Sequence, residues 1–132
     1  MTIFGAGGKD GKAFMSKVAK EMKKKGVWST DSPLHAYRHE LGHAIQEQLS
    51  ASDSNYAEKL KMITDFRKSI LDDLTKLPER DIIKEKAKIL SVYGIDETDD
   101  IDEFISEGIA EYLNGKPRST AKKIVNILLG RG

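Results

Sequence analysis

The chain has 132 residues, and its 22 Lys+Arg against 21 Asp+Glu leave a net charge of +1, too little to draw in nucleic acid or anionic lipid. With no cysteine, disulfides, thiolate metal sites and a thiol nucleophile are excluded. The length suits one domain spanning 1–132, and no stretch has signal-peptide or membrane-span character, so a soluble, cytoplasmic chain without a membrane partner is expected.

Residues 1–8 read as a flexible lead. From Lys9 to Lys25, Phe14, Val18 and Met22 recur at helical spacing, and Gly26 is a natural stop. Val27 and Trp28 read as a plug of the core. Ser32-Pro33 opens a second helix, with Ser at the cap and Pro in the first turn; it runs to about Ser50 with Leu34, Leu41, Ala44, Ile45 and Leu49 on its apolar side. Asp53 can cap a third helix, whose apolar residues from Tyr56 to Leu77 alternate steps of three and four up to Pro78. A fourth covers Glu79 to Tyr93 and stops at Gly94.

The run from Asp96 to Asp102 is acidic, but it lacks the glycine and terminal glutamate of an EF-hand, so it reads as a solvated stretch before the next helix rather than a Ca²⁺ site. That helix spans about Ile101 to Asn114 and stops at Gly115. A last one, Arg118 to Leu129, turns Ile124, Val125 and Leu128 inward. The expected fold is therefore mainly α: about six helices with little or no β-sheet, and only Ile3 or Val27 as candidate strand positions.

The chemistry is concentrated in the second helix. His39-Glu40-Leu41-Gly42-His43 is an H-E-x-x-H pentapeptide. Residues four apart on a helix lie about 40° apart around the axis and about 6 Å along it, so both imidazoles can converge on one ion. Glu40 points aside, within reach of a water on that ion. A tetrahedral catalytic Zn²⁺ takes three protein ligands and keeps one open position, so a third ligand must come from elsewhere.

The helix Ile101–Asn114 offers Glu103, Glu107 and Glu111 at i, i+4 and i+8. Around them Phe104, Ile105, Gly108, Ile109 and Tyr112 make the helix apolar enough to be buried, and a buried glutamate needs a cation or a proton. The ion at His39 and His43 is the nearest candidate cation.

Ser106-Glu107-Gly108-Ile109-Ala110-Glu111-Tyr112 resembles the glutamate helix of the gluzincins, zincin peptidases in which a downstream Glu completes H-E-x-x-H. The resemblance implies Glu107 as third ligand and Glu111 as the acceptor that orients a liganding histidine. A rival register, Asp102-Glu103-Phe104-Ile105-Ser106-Glu107, resembles the thermolysin-like pattern and makes Glu103 the ligand and Glu107 the orienter. Glu107 is preferred, because small Gly108 and Ala110 would let the two helices approach closely. The metzincin arrangement is excluded, since no histidine follows His43.

The resemblance implies a zinc metallopeptidase with Zn²⁺ on His39, His43 and Glu107 and with Glu40 as the base of peptide-bond hydrolysis. His35, Tyr37 and Tyr112 are the candidate donors to the oxyanion, His35 also as an extra ligand. The wider pattern, Ser-Pro-Leu-His before the motif and Glu-Tyr-Leu-Asn-Gly-Lys-Pro-Arg after it, is similar to small zincin-like domains of phage minor head and morphogenesis proteins. It implies phage structural proteins as partners beside a polypeptide substrate. The competing reading is a non-catalytic helical module pinned by zinc, against which an intact Glu40 argues.

Overall fold

The computed structural model describes residues 9–96 and 101–131, and these form seven α-helices: α1 (Lys9–Lys24), α2 (His35–Ser52), α3 (Tyr56–Leu74), α4 (Glu79–Ile89), α5 (Val92–Asp96), α6 (Ile101–Leu113) and α7 (Ser119–Leu128). The mainly-α expectation holds, and no strand occurs among the described residues, Val27 included. Residues 1–8, with the proposed lead and Ile3, and most of the acidic run (97–100) lie outside the described residues. No helix among the described residues is long and apolar enough to cross a membrane.

The fold is organised around α6. Every residue from Phe104 to Glu111 is buried, so this helix meets protein on all sides, as its apolar composition requires. It packs chiefly on α2, then on α7 and α5. Phe104, Ile105 and Ile109 join Ile63 and Leu74 of α3, Leu90, Ile95 of α5 and Ile124, Val125 and Leu128 of α7 in one apolar cluster.

Close approach to α2 is made by a glycine the sequence left unused. A Cβ on Gly42 would lie 3.0 Å from Ser106 Cα and 3.2 Å from Ser106 O, so the two backbones touch there. Gly108, expected to serve that contact, instead faces α7, where a Cβ would meet Ile124 Cδ1 at 2.6 Å.

Helix ends follow the expected punctuation with three corrections. Gly26 and Gly115 adopt φ of +77° and +93°, which suits the stops after α1 and α6. Ser32 does not cap α2: the helix begins three residues later, and Ser32 Oγ instead accepts the Leu34 N–H within the preceding turn. Asp53 lies two residues before the α3 cap Asn55 and accepts its N–H.

The single helix expected over Glu79–Tyr93 is broken at Leu90, and Gly94 lies inside α5 rather than ending α4. Two outside partners hold the break. Arg118 donates to the carbonyls of Ala87, Lys88 and Leu90, and the Val92 N–H donates to Gly26 O at 2.6 Å. Ser91 Oγ accepts the Gly94 N–H and restarts the helix.

Candidate metal centre

His35, His39 and His43 share one stripe of α2, and Glu103 and Glu107 share one stripe of α6. Because the helices pack antiparallel, the five side chains interleave as a ladder. Reading along α2, His35 Nε2 lies 2.7 Å from Glu107 Oε2, and His39 Nδ1 lies 2.7 Å from the same oxygen. His39 Nε2 is then 2.8 Å from Glu103 Oε2, and His43 Nε2 is 3.1 Å from Glu103 Oε1.

Two groups of three ligand atoms result: His35, His39 and Glu107 on the inside, and His39, His43 and Glu103 toward the surface. The expected set of His39, His43 and Glu107 is not one of them. Glu107 sits a full turn deeper than the pair of histidines needs, and Glu103 faces them instead. The rival register of α6 matches this arrangement.

The inner group is complete as it stands. Glu107 is fully buried; its Oε2 accepts from His35 and His39, and its Oε1 accepts the Ser29 backbone N–H at 3.1 Å. Burial works against the charge, but the hydrogen bonds and positive character of His35 and His39 outweigh it and hold the Glu107 carboxyl down to about 2. His35 is also fully buried: Thr30 Oγ1 lies 2.9 Å from its Nδ1, and Trp28 stacks on it with centroids 4.8 Å apart. The ionised Glu107 carboxylate can only accept, so His35 carries an N–H on Nε2 that points at it.

The outer group differs in exposure and in proton count. Side-chain exposures of 11%, 31% and 15% for His39, His43 and Glu103 leave room for a water or substrate atom. Both nitrogens of His39 face carboxylate oxygens, yet a neutral imidazole carries one N–H. With Nδ1–H given to Glu107, a second proton or a metal ion must stand between His39 Nε2 and Glu103. The protonated form is favoured accordingly: burial opposes it, but Glu107 and Glu103 together raise the His39 pKa above its ordinary value. Two imidazole nitrogens and a carboxylate are a donor set that suits Zn²⁺. The carboxylate behind His39 is what orients a metal-bound histidine.

Glu40 follows His39 on α2 and is exposed. Of the other expected residues, His35 belongs to the inner ligand group, while Glu111 and Tyr112 lie apart from the histidines. His35 is walled in by Trp28, Thr30 and Glu107, so it positions Glu107 rather than reaching a substrate. Glu111 does not orient a histidine. Its carboxylate instead takes the Arg118 side chain at 2.6 Å and the Arg118 backbone N–H at 2.7 Å.

Tyr112 packs half-buried against the core and lines a cleft with Pro117 and Lys122, away from the histidines. Tyr37 is 54% exposed on α2. The residues missed from sequence are Ser29 and Thr30, which hold the back of the ladder together with Trp28, expected only as a core plug. Their only signal is a Ser-Thr pair just ahead of the histidine helix. Compared with known protein families, curated proteins and solved structures, the chain matches none.

Proposed function

We propose that the chain is a zinc-dependent peptidase in which His39, His43 and Glu103 hold the metal and Glu40 is the general base. The observation that carries this reading is the His39 ring, whose two nitrogens both face carboxylates across a partly open site. Zinc, when bound, supplies Lewis-acid chemistry, acidifying water and polarising a carbonyl. Glu107 accepts the Nδ1–H of His39 and so keeps the Nε2 lone pair turned outward. His35 and the Ser29 N–H fix Glu107 in turn. Glu40 takes the proton of the attacking water and returns it to the departing amide nitrogen.

A second reading is a non-catalytic module in which zinc clamps α2 to α6 and the domain serves assembly, as with phage structural proteins. It is favoured by one observation: the ligands lie on two helices already packed together, and no strand among the described residues offers an edge for an extended peptide. The two separate in one assay. Zinc-loaded protein is incubated with an unfolded protein, and the products are read by mass spectrometry beside Glu40→Gln. A peptidase cleaves, and Glu40→Gln loses at least about a hundredfold in rate while keeping its zinc. No cleavage by the zinc-loaded wild type would leave the clamp.

A further inference from the structure

Residues of α2, of α3 and of the start of α6 line a cleft of about 400 Å³, and His43 and Tyr56 both form part of its wall. His43 belongs to the outer histidine–glutamate group, so that group and Tyr56 border one space. Tyr56 is the first residue of α3 and 7% exposed, with its side chain in the apolar cluster of α3, α6 and α7. Its hydroxyl makes no hydrogen bond among the described residues, yet it is not sealed from solvent. A ring anchored in the core and an accessible hydroxyl on a cleft-lining residue put that hydroxyl at the surface of the cleft.

A hydroxyl so placed has a proton to donate and no acceptor in the protein. Burial, and then the charge of Asp102 on the same wall, raise the Tyr56 pKa, so the group keeps its proton.

Peptide hydrolysis calls for such a donor. As water adds to the carbonyl carbon, an electron pair moves onto the carbonyl oxygen, and a preset hydrogen bond to that oxygen lowers the barrier. The donors expected from sequence do not serve. His35 is sealed behind Glu107, and Tyr112 lines a separate cleft with Pro117 and Lys122. Tyr37 stands two residues before His39 and so on another face of α2.

We propose that Tyr56 is a catalytic residue whose hydroxyl donates a hydrogen bond to the carbonyl oxygen of the bond being cleaved. The role rests on the peptidase reading, while the unpaired hydroxyl beside His43 stands without it. The O–H proton stays on Tyr56. The electron pair returns from the oxygen as the C–N bond breaks, and the departing nitrogen takes its proton from Glu40.

The test uses zinc-loaded wild type and Tyr56→Phe with two probes: a phosphonamidate dipeptide, whose tetrahedral anionic oxygens stand for those of the attacked carbonyl, and the matching planar amide. Affinities are read by calorimetry, and the wild type carries ¹³C at tyrosine Cζ for NMR. The phosphonamidate is expected to shift the Tyr56 signal and to bind Tyr56→Phe at least about tenfold more weakly. Amide binding, zinc content and the urea midpoint should be unchanged, because the lost hydroxyl has no partner within the protein. Equal phosphonamidate binding by the two proteins, a silent Tyr56 signal, or no binding by the wild type would overturn the proposal. Loss of zinc or of stability in Tyr56→Phe would overturn it in favour of a structural role.

A second arm measures peptide cleavage. Tyr56→Phe should lose about a hundredfold or more in kcat with KM kept. A raised KM with kcat kept would make Tyr56 a wall for the substrate and overturn the donor. Cleavage by Tyr56→Phe at the wild-type rate overturns the donor and leaves the peptidase standing. A phosphonamidate response at Tyr56 with no peptide cleaved by the wild type keeps the donor and removes the peptidase.

Discussion

His39 Nδ1 and Glu107 Oε2 lie 2.7 Å apart at the junction of α2 and α6, and this contact decides which protons the rest of the centre can hold. Glu107 takes the Nδ1–H. The outward nitrogen of His39 is left to meet Glu103 with either a second proton or a metal ion.

Removing the Glu107 carboxylate should therefore damage the fold before it damages chemistry. Glu107→Ala leaves three buried N–H groups, from Ser29, His35 and His39, without their acceptor. Breaking a buried network of this kind costs about 3–5 kcal/mol. Urea unfolding of metal-free protein should show a midpoint shift of that size, and Glu107→Gln, which keeps one acceptor oxygen, should lose less. A neutral result for Glu107→Ala would mean that the ladder does not hold the helices together.

The same groups set the pH dependence of the metal-free protein. Glu107 falls from an ordinary 4.5 to about 2 on folding, so its contribution of about 3 kcal/mol is present above pH 4.5 and is lost as pH falls from there toward 2. His39 shifts the other way. Its pKa is raised, so its contribution is complete below its ordinary 6.5 and is lost as pH rises through the folded value. Stability should peak between about pH 4.5 and 6.5, measurable as thermal midpoints across a pH series in a chelator that keeps metal away.

Zinc should reverse the alkaline side of that profile. The ion replaces the second proton on His39, so affinity should fall as pH drops through the raised His39 pKa, and binding should release protons. Calorimetry in buffers of different ionisation enthalpy reads that release directly. Zinc uptake without proton release would place the ion somewhere other than His39 Nε2.

Gly42→Ala tests the spacing on which the ladder depends. The added methyl would sit 3.0 Å from Ser106 Cα, where backbone rather than a flexible side chain must yield. Overpacking of this kind costs about 1–3 kcal/mol, and zinc affinity should fall with it because α2 and α6 are forced apart. Unchanged affinity would show that the metal group tolerates a wider gap.

Arg118→Ala should separate structure from chemistry at Glu111. It removes the side-chain partner of a nearly buried carboxylate and three bonds to carbonyls at the end of α4. A loss of about 3 kcal/mol or more in urea is expected, with zinc stoichiometry intact. Lysine cannot restore the fork that meets Glu111 and the carbonyls together, so Arg118→Lys should recover little. Loss of zinc in Arg118→Ala would return Glu111 to the metal centre.

The helices were legible in the sequence because apolar spacing and glycine stops are local signals, and α6 announced its burial by composition. The pairing of α2 with α6 was legible as chemistry, two histidines in search of a carboxylate, but not its register. Glu103, Glu107 and Glu111 share one stripe, and choosing among them requires the start of α2 and the Gly42–Ser106 contact, both set by packing. The preference for Glu107 rests on small Gly108 and Ala110, and the neighbour of Gly108 is Ile124 of α7. The break at Leu90 was hidden for a similar reason, since Arg118, far along the chain, holds it.

The most direct measurement is metal content after zinc loading, by mass spectrometry, of wild type, Glu103→Ala and Glu107→Gln. One zinc per chain is expected in the wild type, with loss in Glu103→Ala and retention at about 10–100-fold weaker affinity in Glu107→Gln. Zinc retained in Glu103→Ala and lost in Glu107→Gln would contradict the assignment, and a wild type that takes up none would contradict the metal centre itself.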